Sequence, residues 1–314
     1  MFAHSGDYRR GRPTFIRKER MTKALIFGIT GQDGATLSKF LLDKDYRIVG
    51  AVRRSSVDNK WRLRKLGILD SPNLKLLDCD ISDSISVYNL FQDEDFELYN
   101  EYPNQQNRVE IYNLAAMSFV QTSFQQPYFS FQVNTIGCLN VLEAIRRFAP
   151  LAKYYFAATS EMMGNSVDGD GFQRETTPMI PSNPYAVSKL AAFNLVRNYR
   201  EAYNLFGCNG ILFNHGGPLR GDEFVEQKIA KYVAGLHHYK NSFKALQDVS
   251  ENRFCYPKLK LGNLKASRDW GLCDNYVEAM WLMLQQEKPD DFVIATGETH
   301  SVEELLDTAF DCVG

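Results

Sequence analysis

The sequence predicts an α/β fold, in which helices cover both faces of a parallel sheet, with a smaller C-terminal lobe that binds the substrate. From Thr22 onward, short apolar runs rich in β-branched residues alternate with longer segments of helical periodicity. The runs are nearly continuous in apolar residues, which is typical of strands buried on both faces. A glycine-rich segment follows the first run, as in doubly wound sheets. With 314 residues, 44% of them hydrophobic, the chain is long enough to bury a large core.

The individual elements follow from hydrophobic periodicity. Strands are expected at 23–29, 46–52, 74–79, 109–114, 153–158, 208–213 and 292–296. Helices are expected at 35–42, 84–91, 184–206, 224–236 and 275–286, and a further helix carries Ile136, Leu139, Leu142 and Ile145 on one stripe. The segment 237–258 is polar and is expected to be irregular, with a short strand at 259–261 after it.

This order of elements divides the chain into three parts. Residues 1–20 carry six basic and two acidic side chains with little amphipathic pattern, so a disordered tail is expected rather than a transit peptide. The sheet domain is expected to comprise 21–213 and 269–297. The alternation breaks after Asn214, which predicts a second lobe from 214–268 and 298–314, truncated at its C-terminal end.

Composition excludes several classes of protein. A net charge of −2 and a pI near 6.2 argue against a nucleic-acid-binding protein. No apolar stretch is long enough for a membrane span. The six cysteines form no Cys-x-x-Cys pair, which favours reduced thiols in the cytoplasm over a disulfide or zinc framework. His237 and His238 lack further ligands at metal-binding spacing, so no metal site is expected.

A dinucleotide site is indicated by the segment Gly28-Ile-Thr30-Gly31-Gln32-Asp33-Gly34, between the first strand and the first helix. Glycines at this spacing allow a tight turn and a close approach of the backbone to a pyrophosphate, which the helix N-terminus then faces. This is the motif of a Rossmann domain. Asp80 and Ile81, just past the third strand, lie where such domains contact the adenine.

The second strand ends in Arg53-Arg54-Ser55-Ser56, roughly twenty residues after the glycines, where an NAD site carries an acidic residue. Guanidinium groups match the geometry of a phosphate, so this segment favours NADP over NAD. The alternative interpretation is a solvated basic loop.

A catalytic pair is indicated by Tyr185 and Lys189, four residues apart at the start of a helix that Asn183-Pro184 begins. The ammonium lowers the pKa of the phenol, so the tyrosine can accept a proton from an alcohol while a hydride leaves its carbon. Tyr256 and Lys260 repeat the spacing, but Pro257 disfavours a helix there and we interpret them as a chance match.

Thr159 and Glu161 lie directly after the fifth strand, at the edge of the sheet where doubly wound folds hold ligands. Thr159 can hydrogen-bond the reacting hydroxyl. A dehydrogenase or epimerase that works at one carbon needs only the tyrosine, the lysine and a hydroxyl group. A carboxylate beside them permits proton abstraction from the neighbouring carbon and elimination of water. Glu161 therefore favours a dehydratase, unless it is a surface acid at the start of a helix.

In order from about Thr22 to Asp307, the chain resembles the nucleotide-sugar dehydratase branch of the extended short-chain dehydrogenase/reductase family, in particular the GDP-mannose 4,6-dehydratases. The matching stretches are 28–34, 53–56, 114–116, 159–161, 185–189, 208–215, 261–263, 268–271 and 291–297. Together they are far more specific than any one of them.

The resemblance implies a hydro-lyase that uses NADP to turn a GDP-sugar into its 4-keto-6-deoxy derivative. Tyr185, Lys189 and Thr159 would serve the oxidation at carbon 4, and Glu161 the elimination across carbons 5 and 6. It also implies a homodimer or homotetramer. Further cofactor-binding residues implied by it are Leu114, Ala115, Ala116, Ser118, His215 and Arg220, and the implied substrate-binding residues are Asn214, Lys228 and Arg268.

Departures from the family pattern leave the sugar open. Met117 and Phe119 replace a glutamine and a histidine, Gly216 and Gly217 replace a glutamate and a serine, Leu219 replaces an arginine, and Met162-Met163 replaces Leu-Tyr. These changes surround the sugar, so we expect the elimination chemistry to be kept on GDP-mannose or a close relative. Our hypothesis is that the sugar differs from mannose, for instance a heptose or an acetamido sugar. The alternatives are a 4-keto-reductase or epimerase of the same fold, and a non-catalytic NADP-binding scaffold.

Overall fold

The computed structural model describes residues 22–93, 109–245 and 256–314, and within them seven parallel strands form one twisted sheet. The order across this sheet runs from the seventh strand in sequence through the sixth, fifth, fourth, first and second to the third. The first strand therefore pairs with both the second and the fourth. The second and third strands lie on one side of it, and the fourth to seventh lie on the other. The predicted doubly wound α/β fold is confirmed.

The strands of the main sheet are β1 (Lys23–Phe27), β2 (Arg47–Val52), β3 (Leu74–Asp78), β4 (Val109–Asn113), β5 (Lys153–Ala157), β6 (Phe206–Leu212) and β10 (Asp291–Ile294). Two small pairs lie beside it. The strands β7 (Asn214–Gly216) and β9 (Trp270–Leu272) are parallel, and β8 (Ser267–Arg268) and β11 (His300–Ser301) are antiparallel.

The α-helices are α1 (Gln32–Leu42), α2 (Trp61–Lys65), α3 (Ser84–Phe91), α4 (Val120–Gln125), α5 (Pro127–Phe131), α6 (Gly137–Phe148), α7 (Pro184–Tyr203), α8 (Val225–Ala245), α9 (Cys273–Gln285) and α10 (Val302–Asp311). A π-helical turn at Gln132–Ile136 joins α5 to α6, and Ser160–Met163 forms a 3₁₀ turn after β5. Within the described ranges, no helix combines the length and the apolar character needed to cross a bilayer.

Alternation along β1 shows how the sheet is buried on both faces. Leu25 and Phe27 belong to one hydrophobic core, whereas Ala24 and Ile26 belong to the other, on the opposite face. Because successive side chains of a strand point to opposite faces, an apolar run of this kind requires cover on both. Polar residues at the ends of the strands can then form a site at the edge of the sheet.

A third, smaller core lies outside the sheet, between α8 and α10. Ile229 and Val233 of α8 and Val302 at the start of α10 are buried there, with Trp270 and Phe310 packed against them. This cluster supports the predicted second lobe, whose exact boundaries remain a prediction. The predicted tail at 1–20 lies outside the described residues.

Three element predictions need correction. The segment 237–245 is helical, because α8 continues to Ala245, and 259–261 forms no strand. Polar residues alone do not end a helix, and within this part of α8 Tyr239 packs against Tyr256. The helix expected to reach 206 ends at Tyr203, since Asn204 takes the left-handed conformation with φ 54° and β6 begins two residues later.

Candidate active site

A cleft of about 820 Å³ opens at the carboxyl ends of the central strands. Most of the predicted site residues line it, although they come from points as far apart in sequence as Gly28 and Arg220. Those lining it are Gly28, Thr30, Gly31, Gln32, Asp33, Gly34, Arg53, Asp80, Ile81, Leu114, Ala115, Ala116, Ser118, Thr159, Glu161, Tyr185, Lys189, Asn214, His215 and Arg220.

The other predicted residues lie elsewhere. Arg54, Ser55 and Ser56 line a shallower neighbouring hollow, which they share with Arg53. The side chains of Lys228 and Arg268 are exposed and line neither cavity. Their expected contacts with the substrate therefore remain predictions.

The glycine loop between β1 and α1 leaves no room for side chains. Gly28 has φ +81°, and a Cβ there would lie 2.8 Å from the backbone nitrogen of Ala115; one on Gly34 would lie 2.3 Å from the carbonyl oxygen of Gly28. No side chain caps the N-terminus of α1 at Gly31. Gln32 Oε1 is buried without a hydrogen-bond partner in the described part of the chain. Open amides and an unpaired acceptor fit the phosphates and hydroxyls of a dinucleotide.

An ion pair joins this loop to β7, between the buried side chain of His215 and the half-buried side chain of Asp33. His215 Nε2 lies 3.1 Å from Asp33 Oδ2, and His215 Nδ1 lies 2.8 Å from the carbonyl oxygen of Phe213, so both ring nitrogens face acceptors. Burial lowers the pKa of His215, but the charge and hydrogen bond of Asp33 more than offset this and raise it above its ordinary value. Burial raises the pKa of Asp33, but the charge and hydrogen bond of His215 outweigh burial and hold that pKa well below its usual range. The histidine ring also stacks on Tyr276 at 4.3 Å.

Tyr185 and Lys189 lie one turn apart on the cleft side of α7, where both are buried. The ammonium of Lys189 donates a hydrogen bond of 2.8 Å to the carbonyl oxygen of Ala157 at the end of β5. Burial lowers the pKa of Lys189 to about 8 and raises that of Tyr185 to about 12. The predicted lowering of the phenol pKa is therefore wrong, because burial outweighs the groups that lower it. The side chain of Thr159 acts to lower the phenol pKa, whereas the charge of Glu161 raises it further. All four predicted catalytic residues therefore meet at one corner of the cleft.

Glu161 is held from two sides. Its backbone nitrogen donates to Thr159 Oγ1 at 3.3 Å, which begins the 3₁₀ turn. Its carboxylate oxygen Oε2 accepts a hydrogen bond of 3.1 Å from Asn183 Nδ2. The carboxylate can therefore act on a ligand beside the phenol of Tyr185 without leaving its own turn.

Three residues of the site region were not predicted from the sequence. Arg62 of α2 donates to the carbonyl oxygens of Leu219 and Thr30 at 2.8 and 3.2 Å, and so ties two cleft-lining loops together. Asn134 accepts from the backbone nitrogen of Met117 at 2.8 Å and donates to Ser188 Oγ at 2.9 Å. Asn183 was recognised only as the start of a helix. The π-helical turn that carries Asn134 has no clear sequence signal.

The second tyrosine-lysine match lies away from the cleft. Tyr256, in the second tyrosine-lysine match, packs against Tyr232 and Tyr239 and lines neither cavity. Among the described residues, no group of three or more histidine, cysteine or acidic side chains is arranged to hold a metal ion.

Comparison with known proteins shows close relatives. A family model described as GDP-mannose 4,6 dehydratase matches residues 25–314. GDP-mannose 4,6 dehydratase 2 of Arabidopsis thaliana is 44% identical over 299 residues, which are 93% of this chain and 72% of that protein. GDP-mannose 4,6 dehydratase of Homo sapiens is 42% identical over 318 residues, or 99% of this chain and 75% of that one. The Drosophila melanogaster protein of this name is 43% identical, covering 91% and 67%.

Solved structures agree on the fold at lower identity. The dTDP-glucose 4,6-dehydratase of Streptomyces venezuelae, solved with NAD and TYD, has a TM-score of 0.73 at 21% identity and covers 92% of this chain and 80% of that one. The UDP-glucose 4-epimerase of Thermus thermophilus, solved with NAD, has a TM-score of 0.73 at 21% identity, with coverage of 93% and 84%. The family model and the curated relatives show that the chain belongs to the GDP-mannose 4,6-dehydratase family.

Proposed function

We propose that this chain is an NADP-dependent GDP-sugar 4,6-dehydratase, a hydro-lyase that forms the GDP-4-keto-6-deoxy sugar. The observation that carries the proposal is the convergence of Tyr185, Lys189, Thr159 and Glu161 on one corner of the cleft, beside a glycine loop fitted to a dinucleotide. Membership of the GDP-mannose 4,6-dehydratase family gives the substrate class.

The cofactor would be held by the glycine loop, by Asp80 and Ile81, by the 114–118 segment, and by His215 and Arg220. When bound, it accepts a hydride from carbon 4 and returns it to carbon 6. Arg53 lines both the cleft and the neighbouring hollow, where Arg54, Ser55 and Ser56 also lie. Neither arginine side chain pairs with an acidic group in the described residues. Two unpaired guanidinium groups beside the ribose position support NADP over NAD.

The first proton transfer would fall to Tyr185. Its phenolic oxygen would remove the proton of the hydroxyl at carbon 4, and Thr159, which lines the same cleft, would hydrogen-bond that hydroxyl. With its pKa near 8, Lys189 is largely cationic at neutral pH, so its ammonium favours negative charge on the phenol oxygen. The Arg220 charge acts in the same direction.

The elimination would fall to Glu161. The ketone at carbon 4 makes the hydrogen on carbon 5 acidic, and the carboxylate would remove it as a proton. The same carboxyl group would then protonate the hydroxyl that leaves carbon 6 as water. Because oxidation at carbon 4 is balanced by reduction at carbon 6, the product differs from the substrate by one water and no net oxidation.

The nucleotide diphosphate would be bound by Asn214 in the cleft and by the cations of Lys228 and Arg268. We propose a homodimer or homotetramer as the assembly. We also propose a reducing, cytoplasmic setting, because the described cysteines are free thiols, four of them buried.

The sugar is tested by incubating the protein with GDP-, CDP- and UDP-sugars and following the loss of water by mass spectrometry. We expect turnover of GDP-sugars, with a sugar other than mannose preferred, since Phe119 and the glycines at 216 and 217 change the polarity around it. A clear preference for GDP-mannose contradicts the altered-sugar part and keeps the dehydratase. Failure of every GDP-sugar contradicts the proposed substrate class.

Glu161→Gln separates a dehydratase from a reductase or epimerase of this fold. The amide cannot accept the carbon 5 proton, so dehydration should fall by on the order of 10³-fold, the usual worth of a general acid–base group. Incorporation of solvent deuterium at carbon 5 should disappear with it, whereas reduction of a 4-keto sugar should remain nearly intact. If the variant dehydrates at the wild-type rate, Glu161 does not carry the elimination.

A further inference from the structure

We propose that Asn183 is a positioning residue, which holds the carboxylate of Glu161 in a fixed place relative to the phenol of Tyr185. The inference rests on the proposed function, because it assigns Asn183 a task in the elimination. Asn183 is not part of the tyrosine-lysine motif, and it precedes the helix that carries that motif.

Both polar ends of the Asn183 side chain are occupied. Its Oδ1 accepts a hydrogen bond of 2.8 Å from the backbone nitrogen of Ala186, which caps α7. Its Nδ2 donates to Glu161 Oε2 at 3.1 Å. One partner is a donor and the other an acceptor, so chemistry fixes which end of the amide faces which partner. The side chain is 7% exposed, so water competes little for either bond.

The Asn183–Glu161 bond joins two segments of the site. Glu161 lies in the 3₁₀ turn after β5, and Asn183 lies at the start of α7, two residues before Tyr185. The bond is therefore a direct link between the turn that carries the acid and the helix that carries the phenol. Asn183 thus determines where the acid lies relative to the phenol.

The two oxygens of Glu161 have different surroundings. Oε2 is held by Asn183, whereas Oε1 has no hydrogen-bond partner among the described residues and is not one of the buried unpaired atoms. The oxygen left open can face a ligand in the cleft that Glu161 lines. A carboxylate that must remove a proton from one carbon and donate one at the next gains from a fixed position, since a displacement of about 1 Å can cost on the order of 100-fold in rate.

Helix capping alone does not require asparagine here. Serine, aspartate and asparagine cap helices about equally well. Serine, however, is shorter and offers no amide to a carboxylate 3.1 Å from the asparagine nitrogen. Asn183→Ser therefore keeps the helix start and removes the hold on Glu161, which separates the two tasks.

The test compares Asn183→Ser with the wild type under two conditions. In steady state, kcat for dehydration and deuterium incorporation at carbon 5 should both fall by on the order of 10-fold or more, with KM for the nucleotide sugar unchanged. In a single turnover with enzyme in excess, the rise of reduced-nicotinamide absorbance should slow by less than about twofold, because Tyr185 and Thr159 are untouched. Equal losses in both steps, or no loss in either, would overturn the proposal.

Two further variants control for stability. Asn183→Ala removes the cap as well, and should lower the unfolding free energy by about 1 kcal/mol in addition to slowing elimination. Asp83→Ser exchanges the N-cap of α3, whose side chain accepts from the backbone nitrogen of Ile85, and should leave elimination and exchange unchanged.

Crystal structures of the wild type and of Asn183→Ser make the proposal testable without turnover. We expect one position of the Glu161 carboxylate in the wild type and a displaced or multiple position in the variant. An unchanged carboxylate overturns the role of Asn183 even if no sugar is dehydrated. If the wild type dehydrates nothing and the carboxylate still moves in the variant, the proposed function fails and the positioning by Asn183 stands.

Discussion

The catalytic corner and the cationic rim of this molecule are built in opposite ways. The catalytic corner comprises Thr159, Glu161, Tyr185 and Lys189. The buried side chains of Thr159, Tyr185 and Lys189 are 8%, 8% and 2% exposed. The cationic rim comprises Arg53, Arg54, Lys228 and Arg268, and all four are exposed. Within the described residues the rim forms no ion pair, and Arg268 donates only to the carbonyl of its neighbour Ser267.

The contrast between the buried corner and the exposed rim shows which part of the site is in place before a ligand binds. In the corner, burial and hydrogen bonds place each group in advance, which is what stabilisation of developing charge requires. On the rim, water solvates the cations and screens them, so their positions are decided by the anion that arrives. Substitutions in the corner should therefore change the rate of the chemistry, whereas those on the rim should change binding.

The largest expected effect is in the corner. Tyr185→Phe keeps the ring and removes the phenolic oxygen that is proposed to accept the proton, so kcat should fall by on the order of 10³-fold. KM for the nucleotide sugar should change little, as measured by steady-state kinetics. Tyr256→Phe, at the second tyrosine-lysine match, is the matched control and should leave kcat unchanged. A Tyr185→Phe variant that keeps a tenth or more of the activity would contradict the role proposed for Tyr185 in the catalytic corner.

A smaller effect is expected from the rim at the cofactor. Arg53→Ala removes one guanidinium from the proposed 2′-phosphate site and should raise Kd for NADPH by about 10- to 100-fold, the usual worth of a hydrogen bond to a charged group. Kd for NADH should stay within about twofold, as measured by fluorescence titration. Arg47→Ala, at the opposite end of β2, serves as the control. Equal weakening of both cofactors would contradict the preference for NADP.

On the rim of the second lobe, Lys228→Ala and Arg268→Ala should each raise KM for the nucleotide sugar by about fivefold, with kcat nearly unchanged, because an exposed cation contributes modestly to binding a diphosphate. The effect should shrink as salt is added. Lys231→Ala, one turn along α8 and paired with Asp222, is the control. A fall in kcat with constant KM would indicate that these residues act in the chemistry and not in binding.

The smallest effect concerns stability and pH. The folded protein raises the pKa of His215 above 6.5, so the pair with Asp33 contributes stability that is complete below pH 6.5 and is lost as pH rises through the folded-state value. Between pH 6 and 8 the unfolding free energy should fall, by no more than about 1.4 kcal/mol per pH unit from this group. Urea unfolding should show a flatter profile for His215→Gln. An identical slope in both proteins would show that the pair does not titrate there.

Much of the fold and of the cleft was predictable from short patterns. The alternating strands and helices, the glycine loop and the tyrosine-lysine pair each depend on neighbouring residues, and the structure brings them to one edge of the sheet. The length of α8 was not predictable in this way. Its segment 237–245 looks polar, yet it continues the helix, and Tyr239 within it packs against Tyr256 from a later part of the chain.

The contacts that support the site could not be predicted from the sequence for the same reason. Asn183 meets Glu161 across 22 residues, and Arg62 meets Leu219 across 157. An asparagine before a proline predicts a helix start, but it does not reveal which carboxylate the other end of the amide will meet. Such contacts depend on how elements pack, and no local pattern encodes them.

The sequence alone was enough to predict the fold class, the place of the glycine loop and the candidate proton-transferring residues, because periodicity and spacing are properties of the local chain. The tertiary structure decided how those groups are oriented. It paired Asp33 with His215, tied Glu161 to the helix of Tyr185 through Asn183, and left Lys228 and Arg268 outside the cleft. Burial and hydrogen-bond geometry set charge and position, and both arise only when distant segments of the chain pack together.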